Sequence, residues 1–304
     1  MLNRRTMTLA LAGAAILPAA AFAQADWRAQ YPELVLAIVP AENASGVSDR
    51  FAPFTEYLAK TLGVKVTLRI ASDYAAAIEG QRAGNIHIVY HGPASYVRAF
   101  TVTKGGVEPF VTTINTDGSI GYYSVAYVRA DDKATKLEDL KGRNLGLVDP
   151  NSASGNNVPR FSMSKMGIEP TSFFGKVVYT GSHENAIIAL KGGTVDVVFN
   201  WWNSEKDSNF SRMVNKNMAK FEDVRIVFKS PLIAGSPYVY LTAMPQPLKD
   251  AIKKAFVDAP KADKAAFDKL SDGKDLGFKP VSHADYVTMV ELQDFVDQLR
   301  KKRS

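Results

Sequence analysis

The chain has 304 residues, of which 46% are hydrophobic, 22% charged and 10% aromatic, a make-up that fits a folded globular protein with room for two cores and excludes a fibrous or disordered chain. Its formal charge of +6 falls by two if Arg4 and Arg5 leave with a leader, and the single basic run, Arg300-Lys301-Lys302-Arg303, reads as a solvated tail, so nucleic acid is not indicated. The absence of cysteine excludes disulfides, thiolate metal sites and cysteine nucleophiles together.

Residues 1–23 read as a secretory signal: a basic start, an apolar run over 7–17, then Ala21-Phe22-Ala23 as the cleavage site. Spanning a bilayer takes roughly 20 residues, so this run is too short for an anchor. Paired Arg4 and Arg5 ahead of a weakly hydrophobic, alanine-rich stretch suggest twin-arginine export, with Sec export as the alternative. Without a cysteine at the cleavage site the mature protein is no lipoprotein, and it is expected free in a bacterial periplasm.

The mature chain alternates short β-like runs with helical stretches, which predicts an α/β fold with largely parallel strands. Residues 34–39 form a buried strand, and Phe51, Phe54, Leu58 and Leu62 mark a helix over 49–62 that Gly63 ends. A strand over 64–70, a helix over 74–83 and a strand over 86–90 complete a first β-α-β-α-β unit. The pattern restarts with β-rich 122–128, a short helix at 137–140, a strand at 144–148 and a helix at 158–166. A strand at 176–179, a helix at 186–190 and a strand at 195–199 complete this second unit. Two α/β lobes fit this length, with lobe 1 built from 24–125 and 238–304 and lobe 2 from 126–237. Segments 121–128 and 238–241 are the candidates to cross between them, giving a hinge and a ligand cleft, and the segment 284–299 returns to lobe 1 as a helix.

Two strand-to-helix turns are the first candidates for chemistry. In Asp149-Pro150-Asn151-Ser152-Ala153-Ser154-Gly155 a strand runs into hydroxyls at a helix start, where unpaired N–H groups carry partial positive charge. Ser152 and Ser154 there either bind an oxyanion or cap the helix. The turn Thr180-Gly181-Ser182-His183-Glu184 repeats the architecture, and His183 is either an anion donor or an exposed first-turn histidine. Tyr122 and Tyr123 are adjacent on a strand, so one of them faces the cleft. Tyr74, Tyr90 and Tyr96 are further phenol donors, and Trp201-Trp202 offers either an apolar ligand wall or packing beneath a loop.

Enzyme signatures are absent or broken. His87 and His91 have an HxxxH spacing, but in a strand and without the glutamate of the helical zinc motif. Ser162 and Lys165 match SxxK without its companion motifs, and there is no GxSxG, Walker loop or GxGxxG. Neither catalysis, a metal nor a cofactor is expected.

Taken in order, Ser72-Asp73-Tyr74-Ala75, Tyr90-His91-Gly92-Pro93-Ala94-Ser95-Tyr96, Gly118-Ser119-Ile120-Gly121-Tyr122-Tyr123-Ser124, the two turns above and Lys229-Ser230-Pro231-Leu232-Ile233 resemble the phosphonate-binding periplasmic proteins of ABC transporters. That family also contains phosphite receptors, and the match runs from Leu34 to about Leu299. The resemblance implies a type II periplasmic binding fold in which two tyrosines, a Ser-Thr turn and a histidine hold the oxyanion. Matched one by one, these are Tyr74, Tyr122, Ser152 and His183. Where the family usually has Ser-Thr-Ser-Gly this chain has Ser152-Ala153-Ser154-Gly155, so at Ala153 only the backbone N–H serves. Members that take aminoalkylphosphonates carry acids in the loops corresponding to Asn203 and Ser236, both neutral here.

The resulting expectation is a monomeric solute-binding protein whose ligand residues include Trp201, Trp202, Asn203 and Ser236 beside the oxyanion set. It captures a small phosphorus oxyanion (phosphite, methylphosphonate or another small phosphonate) for an inner-membrane ABC permease. With Asn203 and Ser236 neutral, compact ligands are expected to bind more tightly than 2-aminoethylphosphonate. The alternatives are a sensor partner that presents the same anion to a membrane kinase, and a hydrolytic enzyme.

Overall fold

The computed structural model describes residues 26–42 and 44–301. The expected signal peptide at 1–23 lies outside them. After the single turn of α1 (Trp27–Gln30), β1 (Glu33–Ile38) is buried on both faces beyond its first residue, as a central parallel strand must be. Helix α2 (Ala44–Leu62) sets Val47, Phe51, Phe54, Leu58 and Leu62 along one buried stripe and begins at Ala44 rather than at 49. Strand β2 (Lys65–Ile70), helix α3 (Tyr74–Arg82) and strand β3 (Ile88–Tyr90) follow where the periodicity puts them. Helix α4 (Pro93–Val102) and strand β4 (Val107–Asn115) have no expected counterpart.

Strand β5 (Tyr123–Arg129) opens the second half, followed by β6 (Asn144–Leu147), a wide π-helical turn over Ala153–Asn157 and α5 (Val158–Lys165). Next come α6 (Pro170–Phe173), β7 (Lys176–Tyr179), α7 (His183–Lys191) and β8 (Val197–Ser204). The two-residue β9 (Asp207–Ser208), α8 (Asn209–Asn215) and β10 (Val224–Lys229) complete it. Strand β11 (Pro237–Leu241), α9 (Gln246–Ala262), α10 (Lys264–Ser271), β12 (Asp275–Pro280) and α11 (Val287–Lys301) end the chain.

Among the described residues the strands form two sheets, ordered β2-β1-β3-β11-β4-β12 and β7-β6-β8-β5-β10, with β9 paired to β8. Both are mixed rather than largely parallel. In each, three parallel strands meet an antiparallel one that arrives after a crossover: β11 against β3 in register Tyr238↔Tyr90, and β5 against β8 in register Tyr123↔Trp202. Strand β5 lies wholly in the second sheet and β11 wholly in the first, so the chain changes sheets before Tyr123 and again before Pro237, slightly ahead of the expected boundaries. The crossovers touch there: the Tyr122 N–H donates to the Ile233 carbonyl at 3.1 Å, and the Ile233 N–H donates to the Tyr122 carbonyl at 2.7 Å.

These sheets with their flanking helices are the two α/β lobes, and the paired crossovers are the hinge. One apolar core packs α2, α9 and α10 on the first sheet, and another fills the second around Leu145, Leu147 and Phe199. A third holds residues of both lobes, from Val35 and Ala77 to Val125 and Ile187. Helix α11 packs on α4 of the first lobe and on α5 of the second.

Candidate functional site

A cavity of about 140 Å³ opens between the lobes, outside the carboxyl ends of β1, β3, β6 and β8. That is where parallel α/β strands present their loops, and it gives space for a few heavy atoms. Of the residues expected to bind ligand, Tyr74, Tyr122, Ser152, Ala153, Ser154, His183, Trp201, Asn203 and Ser236 all line it. Trp202 does not. Successive strand residues point to opposite faces, so with Trp201 turned to the cavity the Trp202 ring packs against Tyr123 and under the Lys229 ammonium, 4.2 Å from its centroid.

Both turns are built as the sequence suggests. Ser152 caps the helix start by accepting the Gly155 N–H at 3.0 Å, and Ser182 caps α7 by accepting the Asn185 N–H at 3.1 Å. Capping holds Ser152 in place without removing it from the cavity wall, so the two readings of that serine are compatible. Gly155 is required by space: a Cβ there would lie 2.4 Å from the Val148 side chain and 2.9 Å from the Ser152 hydroxyl. The first-turn N–H groups of Ala153 and Ser154 have no intrahelical acceptor by position.

His183 is 3% exposed, which removes the reading of an exposed first-turn residue. Its Nε2 lies 3.4 Å from the Ser152 hydroxyl, and its buried Nδ1 has no partner among the described residues. Burial pulls the ring's pKa down to about 4, so the imidazole is neutral at physiological pH. Tyr74 pairs with Ser152, and Tyr122 with Ser154, and burial raises both phenols well above their ordinary range. They stay protonated as neutral donors. Tyr90 also lines the cavity, stacked on Tyr238 at 4.5 Å, whereas Tyr96 is buried elsewhere with its hydroxyl 2.7 Å from His283 Nδ1.

His87 Nδ1 accepts the Val35 N–H, while His91 bonds Ser95 and Gln81, each at 3.0 Å. Among the described residues no cluster of metal-ligating side chains is present.

The remaining wall carries charge that the motifs did not announce. Glu42, from the β1–α2 loop, is buried among Arg50, Arg212 at 3.6 Å and Lys216 at 2.7 Å. Burial opposes its ionisation, but Arg50, then Arg212 and Lys216, outweigh it and hold the carboxyl at about 2. Arg212 also reaches Asp272 at 3.1 Å, so this cluster ties α8 of the second lobe to the first. Asp207 and Asp275 line the cavity too. Burial first, then the charge of Asp207, raise Asp275 to about 7 against the weaker pulls of Arg212 and Arg50. No local pattern marks these residues. Asp207 sits in a two-residue strand, and Asp275 comes from a segment whose link to the cleft is purely tertiary.

A family model described as ABC transporter, phosphonate, periplasmic substrate-binding protein matches residues 36–286. The phosphonates-binding periplasmic protein of Escherichia coli (strain K12) is 32% identical over 247 residues, which cover 79% of this chain and 71% of that one. The phosphate-import protein PhnD of Mycolicibacterium smegmatis is 30% identical over 280 residues, covering 84% of each chain. In fold, the chain is similar to PhnD1 from Prochlorococcus marinus (MIT 9301), solved in complex with methylphosphonate. That likeness has a TM-score of 0.72 at 20% identity and covers 88% of this chain and 98% of that one.

Proposed function

Since the chain belongs to the periplasmic phosphonate-binding family of ABC transporters, we propose that its cleft captures a small phosphorus oxyanion, phosphite, methylphosphonate or another small phosphonate, and hands it to an inner-membrane permease. The observation that carries this reading is the convergence of His183, Ser152, Tyr74 and Tyr122 on the wall of one cavity between the lobes, with the His183 Nε2 3.4 Å from the Ser152 hydroxyl. Phenols, hydroxyls, an imidazole and first-turn N–H groups converge on one small volume, and dehydrated oxyanion oxygens need such donors. Phosphate shares this chemistry and competes for the same donors.

The site binds without making or breaking a bond. Ser152 and His183 approach each other as a nucleophile and base would, but among the described residues no carboxylate orients the free Nδ1. Relatives named for binding and import favour delivery to a permease over presentation to a membrane kinase. The protein acts as a monomer, and the leader at 1–23 directs its export, through the twin-arginine route or Sec.

A thermal-shift screen of the mature protein tests the reading with phosphite, phosphate, methylphosphonate, 2-aminoethylphosphonate and sulfate. A compound that binds only the folded state raises the melting temperature with its concentration. At least one of the phosphite and phosphonate compounds should do so more than sulfate. No shift with any phosphorus compound would end the proposal.

A further inference from the structure

The turn that carries Ser152 and Ser154 is not an ordinary helix start. Over Ala153–Asn157 each N–H reaches back to the fifth carbonyl before it: the Asn157 N–H donates to Ser152 at 3.0 Å, and the Val158 N–H to Ala153. The next rung would run from residue 159 to the Ser154 carbonyl, but residue 159 is a proline and has no N–H to give. Ser154 is buried, so its carbonyl needs a donor from elsewhere in the protein. The hydroxyl of Ser124, buried on β5, supplies it at 2.6 Å.

Ser124 is itself held in place. Its N–H donates to the Ser230 hydroxyl at 2.9 Å and its carbonyl accepts the Ser230 N–H at 2.8 Å, which fastens it to the second crossover. Two residues before it on extended chain, Tyr122 points to the same side and pairs with the Ser154 hydroxyl. Ser154 is therefore gripped at its hydroxyl by Tyr122 and at its carbonyl by Ser124. Neighbouring carbonyls find donors closer at hand: Gly155 takes the Val148 N–H at 3.0 Å, and Pro150 takes the side-chain amides of Asn156 and Asn157.

We propose that Ser124 is a positioning residue for anion capture: its hydroxyl stands in for the N–H that Pro159 lacks, holds the turn in its wide π-helical form, and so keeps the Ala153 and Ser154 N–H groups at the cleft wall. The proposal rests on the oxyanion reading above and names a residue that serves it without touching the ligand.

Without that hydroxyl the buried Ser154 carbonyl is unmatched, and the turn recovers a donor only by rewinding. Rewinding moves the first-turn N–H groups from their places. A ligand must then restore the wide turn before it binds, and its affinity falls by the cost of doing so.

The test is a double-variant cycle read by calorimetric titration with methylphosphonate. In the natural background Ser124→Ala should weaken binding about tenfold, the usual consequence of leaving one buried carbonyl unmatched. Pro159→Ala returns an N–H at the missing rung, so in that background Ser124→Ala should cost about twofold or less. Amide hydrogen exchange over residues 153–157 of the ligand-free protein should follow the same pattern, faster in Ser124→Ala and restored in the double variant. Should Ser124→Ala fail to fold, a double variant that folds and binds supports the proposal, and one that also fails overturns it. Equal losses in the two backgrounds, no loss in either, or exchange that ignores both substitutions overturns the proposal and leaves the oxyanion reading standing. Wild-type protein that binds neither methylphosphonate nor phosphite overturns that reading and the positioning role with it.

Discussion

The imidazole of His183 is the side chain whose surroundings bear most directly on what the cleft binds. Its ring is buried, one nitrogen leans on Ser152 and the other has no hydrogen-bond partner by geometry among the described residues. Leaving a buried polar atom unmatched costs roughly 1–3 kcal/mol, a penalty that an anion's oxygen removes. Replacing a donor to a charged oxygen usually costs about 1.5–3 kcal/mol, so His183→Ala and Ser152→Ala should each weaken phosphonate binding by roughly ten- to more than a hundredfold. Ser152→Ala should also lower the ligand-free melting temperature, because it deletes the cap on Gly155. Titration calorimetry reads the first effect and thermal denaturation the second; unchanged affinity in either variant removes that residue from the site. Serine and histidine just after a strand were visible in the sequence because their signal is local. Trp202 was misjudged although the needed rule, alternation along a strand, was at hand, and Asp275 was invisible because nothing local ties it to the cleft.

At the scale of elements the crossovers decide how the lobes meet. Gly121 holds φ at 142°, and a Cβ on it would lie 2.4 Å from the Ile233 carbonyl oxygen on the second crossover. That carbonyl accepts the Tyr122 N–H, so the glycine permits the close approach that fastens the two crossovers and aims Tyr122 into the cleft. Gly121→Ala should cost about 1–3 kcal/mol of stability and weaken ligand binding through Tyr122, without touching the ligand. Denaturant unfolding alongside calorimetry checks both, and a variant as stable as wild type would show that the backbone there is not constrained. The helices and strands of the first two units were legible from periodicity. Strand direction was not: β5 and β11 look like any other apolar run, and only the sheet shows that they enter antiparallel.

For the whole molecule, contacts between lobes lie on two sides of the cleft. The Glu42 cluster, with Asp272, ties α8 to the first lobe, and α11 spans α4 and α5 with Phe295 against Phe161. Buried charges that pair across an interface reward closure only when the partners meet. Ligand should therefore shift the population toward the arrangement in which these contacts between the lobes are made. Small-angle scattering at saturating methylphosphonate should give a smaller radius of gyration than the ligand-free protein, with Trp201 fluorescence changing in parallel. Identical scattering and fluorescence in both states would mean that the lobes do not move on binding.

The most direct measurement of the central claim is a calorimetric titration of the mature protein with methylphosphonate, with sulfate as the control. The account predicts saturable binding of one ligand per chain, far tighter than for sulfate, and greatly weakened in His183→Ala. Equal binding of the two anions, or no saturable heat with methylphosphonate, phosphite or 2-aminoethylphosphonate, would contradict it.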